Sequence, residues 1–275
     1  MKKVWVILAA LGLDDAAAVA HLLRERERSA GIVLIPIGGN VPVEMAFANA
    51  RTLLCAAGDA MSAGVTVVDT RAIPQRGEYL PDFHGKDGMG DILPAADVWP
   101  RDVRVVAFAD WLEGFRESGM LLSLGPTTLA RTILEKRPEL SLVLMGGCIR
   151  ETPNFHGYEF NHALDREAFA FCVQYPHVAI TMDTCRVPRL NLLRDTIPGD
   201  GLYERLLRAD QAVSEMRGDG ECRVWDDVAA LYLLEPNRFR ISEERDRDGN
   251  RVLQAVYCSE RAQYEEGGTD DDEAL

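Results

Sequence analysis

The stretch Val4-Trp5-Val6-Ile7-Leu8-Ala9-Ala10-Leu11-Gly12-Leu13-Asp14-Asp15-Ala16 decides the fold. Val4 to Leu8 is an unbroken apolar run of strand length, the pattern of a strand covered on both faces. Gly12 then turns the chain. Asp14 caps or opens a helix that continues through Val19, Ala20, Leu22 and Leu23 to Arg24-Glu25-Arg26. Acid in the first turn and base in the last suit the helix dipole. Gly31 closes this unit, and Ile32 to Ile37 reads as a second buried strand. Strand, helix and strand in so short a span make a βαβ unit.

The alternation continues outward from that unit. Helical stretches are expected at Glu44 to Ala57, Trp111 to Ser118, Thr127 to Lys136, Asp165 to Gln174 and Val224 to Leu234. Strands are expected at Val65 to Val68, Leu121 to Leu124, Leu142 to Met145 and Val178 to Met182. The class is therefore α/β, a mostly parallel central sheet with helices on both faces. Ligands of such folds sit beyond the carboxyl ends of the strands. Pro74 to Arg104, rich in proline and glycine and without a clear period, reads as a long loop bordering the site.

Composition narrows the function classes. The 275 residues carry a formal net charge of −14 and are 47% hydrophobic. That is ordinary globular usage. The negative balance argues against a nucleic-acid binder, which needs a basic surface, and against docking on anionic lipid. The first apolar run is far below the roughly 20 residues of a bilayer span, and no signal-peptide cleavage site follows it. The six cysteines form no CxxC pair, so reduced thiols and a cytoplasmic location are expected. Residues 1–258 are expected to form a single domain. Residues 259–275 hold seven acids against Arg261, the composition of a disordered tail.

Five short motifs stand at expected strand or helix ends. Asp14-Asp15 puts two carboxylates beyond the first strand, where they serve either as helix caps or as a repelling pair that needs a cation. Gly38-Gly39-Asn40 and Met145-Gly146-Gly147 end two further strands, with glycines that let a ligand approach the backbone. Glu159-Phe160-Asn161 and Trp225-Asp226-Asp227 add acid and amide groups.

In order, these motifs resemble those of the inosine–uridine-type nucleoside hydrolases. Gly12-Leu13-Asp14-Asp15-Ala16 is similar to the end of that family's first aspartate motif. Gly39-Asn40 with Asn49-Ala50, His84-Gly85-Lys86-Asp87-Gly88-Met89-Gly90, Leu124-Gly125-Pro126-Thr127-Thr128-Leu129-Ala130, Glu159-Phe160-Asn161 with Asp165 and Trp225-Asp226-Asp227 resemble its later ones. The resemblance implies N-ribosyl hydrolysis of a nucleoside around a buried Ca²⁺. It implies Asp14 as the base that deprotonates water. It implies Asp15, Asp226 and the main-chain carbonyl of Leu124 as metal ligands, and a ribose held by Asn40, Met145, Glu159 and Asn161. His84 and Asn154 fall in site loops, and Trp225 is placed to stack on a base. The implied partners are a small nucleoside or ribosyl substrate and further copies of the chain, as a homodimer or homotetramer.

Two departures bear on the chemistry. The family's first motif reads DxDxGxDD, and here its first two aspartates fall on Leu8 and Ala10. Losing a carboxylate ligand at Ala10 predicts a weak or absent calcium site. Trp225 replaces a histidine that helps protonate the leaving base in some members. Three readings remain open: a hydrolase with a weakened metal site, a non-catalytic nucleoside- or ribose-binding relative, or an engineered metal-site variant.

Overall fold

The computed structural model describes residues 4–26, 31–186, 199–218, 222 and 224–258. Strand β1 is Val4–Ala9 and helix α1 is Leu13–Glu25. There follow β2 (Gly31–Pro36), α2 (Val43–Ala57), α3 (Asp59–Ser62), β3 (Thr66–Asp69), α4 (Pro81–His84), β4 (Arg104–Ala107) and α5 (Phe108–Gly114). Next come β5 (Gly119–Ser123), α6 (Thr128–Lys136), β6 (Ser141–Met145), α7 (Phe160–Leu164), α8 (Arg166–Cys172), β7 (His177–Ile180) and α9 (Met182–Cys185). The last elements are α10 (Leu202–Arg217), α11 (Trp225–Leu234), β8 (Phe239–Arg245) and β9 (Arg251–Tyr257).

The nine strands form one sheet in the order β4-β3-β2-β1-β5-β6-β7-β9-β8. All neighbours are parallel except the hairpin β8–β9. The strand order reverses at β1, whose partners are β2 and β5. That is the switch point where α/β sheets open a crevice at the carboxyl edge. Register keeps that edge level: Leu8 lies beside Ile35 and Ser123, and Ser123 beside Leu144.

Side chains of β1 alternate between two cores, as the pleat requires. Trp5, Ile7 and Ala9 join one cluster with residues of α1, α2, α10 and α11. Val6, Leu8 and Ala10 join the other with residues of α5, α6 and α8. Helices thus cover both faces, as the α/β reading expects. β5 lies so close to β1 that a Cβ on Gly119 would stand 2.0 Å from the Val4 carbonyl oxygen, so only glycine fits there.

Three elements depart from the sequence reading. The loop from Pro74 holds the short helix α4 and ends in a strand, β4, that begins at Arg104. Among the apolar residues of helix α10, Leu202, Tyr203, Leu206 and Leu207 are buried, all in its first half, so its apolar stripe is too short to stand out. The hairpin β8–β9 carries Arg240, Glu243, Glu244 and Arg245 on its outer strand. Charges that guard a sheet edge also mask the strand pattern. The acidic tail at 259–275 lies outside the described residues.

Candidate active site

The corner between β1 and α1 is tied by one carboxylate. Asp15 accepts hydrogen bonds from the backbone N–H of Ala10 (2.7 Å) and Gly12 (3.0 Å) and from Asn40 Nδ2 (2.9 Å). Gly12 is the N-cap of α1. A Cβ there would come within 2.6 Å of Asn40 Nδ2, so the packing of this corner selects glycine. Leu11 adopts φ +47°, a left-handed conformation unusual for a bulky residue, and its carbonyl accepts from Asn49 Nδ2 at 3.2 Å.

Asp226, at the start of α11, is brought to the same place. The carboxylates of Asp14, Asp15 and Asp226 offer ligand atoms that all lie within 4.8 Å of one another. Asp15 and Asp226 are buried. Burial first, and the neighbouring carboxylates second, hold both well above the usual carboxylate range. Packing three acids this closely is unfavourable without compensation. The donor set, all hard oxygen, fits a divalent cation such as Ca²⁺. Position 10, where a further carboxylate is expected from the family pattern, is a fully buried alanine beside this cluster.

A second group forms the opposite wall. Asn161 Nδ2 donates to the carbonyls of Leu124 and Met145, each at 3.2 Å. Glu159 caps α7, accepting from the backbone N–H of Gly147 (2.9 Å), Asn161 (2.9 Å) and His162 (3.0 Å). Burial pushes its carboxyl pKa up, and these three donors pull it back. Because Glu159 ties β6 to α7, Glu159→Ala is expected to strand three buried N–H groups. The cost should be on the order of 3 kcal/mol, a Tm drop of roughly 6–12 °C in calorimetry. A drop under about 2 °C would show that these bonds contribute little.

These walls enclose a cavity of about 540 Å³. Of the residues singled out from sequence, Asp14, Asn40, His84, Leu124, Met145, Asn154, Glu159, Asn161, Trp225 and Asp226 line it. Asp15 sits behind it, with its oxygens turned to the corner amides. His84 is buried, and its Nδ1 lies 3.2 Å from the Leu13 N–H and 3.8 Å from Asp14 Oδ1. Burial lowers its pKa, against the pull of Asp14. An Nδ1 that accepts from Leu13 belongs to a neutral imidazole with its proton on Nε2.

Sequence reasoning missed one wall. Asp210, Val213, Ser214 and Arg217 of α10 line the cavity at helical spacing, facing Phe83 of α4 and Trp225 of α11. The spacing is visible in the sequence only once the helix is known. The Arg217 guanidinium lies over the Phe83 ring. Asp210 accepts from the Cys222 thiol at 3.4 Å, and its pKa is pushed up to about 8, first by burial and then by the charge of Asp14. The other half of α10 is fastened by a clasp. Tyr203 donates to Asp227 Oδ2 (2.6 Å), and His21 of α1 meets Asp227 Oδ1 (2.7 Å) while stacking on the Tyr203 ring.

The carboxylate cluster thus lies at the sheet switch point, under a cavity walled by amides, carboxylates and an indole. The profile of the family described as inosine-uridine preferring nucleoside hydrolase matches residues 11–270, and the chain belongs to that family. The match begins just past Leu8 and Ala10. The uridine nucleosidase of Saccharomyces cerevisiae is 28% identical over 58% of this chain and 49% of its own length. The chain therefore spans about half the length of this curated relative. Two solved structures share the fold. One is a purine-preferring ribonucleoside hydrolase from Gardnerella vaginalis (TM-score 0.70, 20% identity, 94% of both chains covered). The other is an inosine-uridine preferring nucleoside hydrolase from Bacillus anthracis (TM-score 0.63, 18% identity, 94% of both chains covered).

Proposed function

We propose that this chain hydrolyses the N-glycosidic bond of a ribonucleoside or related ribosyl compound, releasing the base and ribose. The observation that carries this reading is the convergence of Asp14 and Asp226 at the floor of the cavity with Asp15 directly behind them. Family membership supports it.

The residues divide the work as follows. Asn40, Glu159 and Asn161 border the floor and offer donors and acceptors suited to ribose hydroxyls. Asp14, at the cavity side of the cluster, takes the proton of the attacking water. Its negative charge also favours the positive charge that develops on the sugar as the bond to the base breaks. Asp15, Asp226 and the Leu124 carbonyl would hold a Ca²⁺, which supplies acidification of a bound water and orientation of the diol. Trp225 and Phe83 offer aromatic faces to the base.

Ribose release from a panel of nucleosides tests the reading directly. Turnover of at least one ribonucleoside is expected. Tight nucleoside binding with no release of ribose would favour the non-catalytic reading instead. Within the panel, purine nucleosides should be preferred over pyrimidine ones, because the larger ring stacks better on Trp225. Such stacking is worth about 0.5–1.5 kcal/mol, or roughly 2- to 12-fold in affinity. Equal binding of inosine and uridine, unchanged in Trp225→Ala, would remove Trp225 from base recognition.

A further inference from the structure

We propose that Asp210 on α10 is the general acid that protonates the departing base, the task for which Trp225 has no suitable group. This rests on the hydrolase reading and assigns the leaving-group half of the reaction. Three observations place Asp210 for it. It lines the same cavity as Asp14 but from a different helix, on the wall that carries Trp225, Ser214 and Arg217. The Cys222 thiol donates to Oδ2 at 3.4 Å, which leaves the other oxygen to carry a proton. Its surroundings favour the protonated form: burial and the nearby Asp14 outweigh the opposing Arg217 and Cys222.

The other titratable groups on the packed elements are accounted for. From α1 come Asp14, Asp15 and His21, from α11 Asp226 and Asp227, from α4 Asp82 and His84, and from α10 itself Tyr203 and Arg217; Asp15 and Asp226 belong to the carboxylate cluster with Asp14. Asp227 is already engaged by His21 and Tyr203. His84 lies against Asp14 and is held neutral by burial. Asp210 thus stands on the base side of the cavity, and Asp14 on the water side. Two carboxyl groups divided between acid and base duty are the working arrangement of glycoside hydrolysis.

The proton balance closes. As the C1′–N bond breaks, its electron pair goes to the base nitrogen system, which takes the Asp210 proton. Water adds its oxygen to C1′ and gives a proton to Asp14. Release of that proton to solvent, and uptake of one by Asp210, restores both groups. The net reaction consumes one water and releases ribose and the neutral base.

The test compares leaving groups that differ in their need for a proton. Wild type and Asp210→Asn are assayed on inosine and on 4-nitrophenyl β-D-ribofuranoside, whose phenolate leaves without protonation. The expected result is a loss of about 10²–10⁴ in kcat on inosine and a loss under about 3-fold on the nitrophenyl riboside. Retained nitrophenyl turnover also shows that the variant is folded; should Asp210→Asn not fold, Asp210→Ser is measured in the same way. Equal losses on both substrates, or no loss on either, would overturn the assignment while leaving the hydrolase reading intact. A wild-type protein that cleaves neither substrate would overturn both.

Discussion

Asp14→Asn is expected to lower kcat by about 10²–10⁴, the contribution of a positioned acid–base group, while ribose affinity changes much less. The asparagine preserves size and keeps the hydrogen-bond acceptor used by the Asp15 N–H, 3.2 Å away. What it removes is the ability to take a proton from water. The ribose contacts proposed for Asn40, Glu159 and Asn161 are untouched. The fold should also hold, because the corner amides of Ala10 and Gly12 bond to Asp15 and not to Asp14. Steady-state kinetics and ribose titration on the same preparation separate the two quantities. An Asp14→Asn enzyme with an undiminished rate would mean that another group activates the water. A variant with equal losses in rate and affinity would mean that Asp14 binds and does not catalyse.

Calcium should bind weakly to this chain, and Ala10→Asp should tighten it by tenfold or more. Affinity for a hard cation follows the number of charged ligands. Asp14, Asp15 and Asp226 supply three carboxylates, and Asp15 already gives its oxygens to three donors. Position 10 abuts this group, since its backbone N–H is one of those donors. Its methyl packs directly against Gly39 and Gly125, where an added Cβ would stand 2.6 and 3.2 Å from it. Calorimetry with CaCl₂ measures the change without reference to turnover. A rise in Tm with added Ca²⁺, larger in Ala10→Asp than in wild type, is the accompanying sign. Sub-micromolar binding by wild type would contradict the expectation and point to a ligand other than these residues.

Much of the site was legible because its residues sit at strand ends, where apolar runs stop and polar groups begin. β1 shows this best. Its run stops at Leu11-Gly12, and the next acids, Asp14 and Asp15, stand at the carboxyl edge beside Asn40. The buried strands β2, β5 and β6 were readable for the same reason, with ends off by a residue or two where a strand fades into its loop. What stayed hidden depends on packing between distant segments. Asp210 has no apolar run to announce it, and its character comes from its place in the cavity wall near Asp14. Glu159 was expected to hold ribose, but its work as the cap of α7 and tie to Gly147 follows from three bonds that spacing alone does not reveal. β8 escaped because an edge strand is half solvent-facing and charged.

The corner held by Asp15 bears on how the loss of active-site residues in such a chain is to be interpreted. Asp15 joins Ala10, Gly12 and Asn40 whether or not a metal is bound. It answers to folding as well as to chemistry, so drift that erases a function has little freedom to remove it. Leu8 and Ala10, both fully buried among apolar neighbours, are under no such double constraint. An aspartate kept at position 15 is thus poor testimony that a descendant still turns over substrate. An aspartate kept at position 14, half-buried at the cavity floor with a single 3.2 Å bond to the neighbouring amide, is much better testimony.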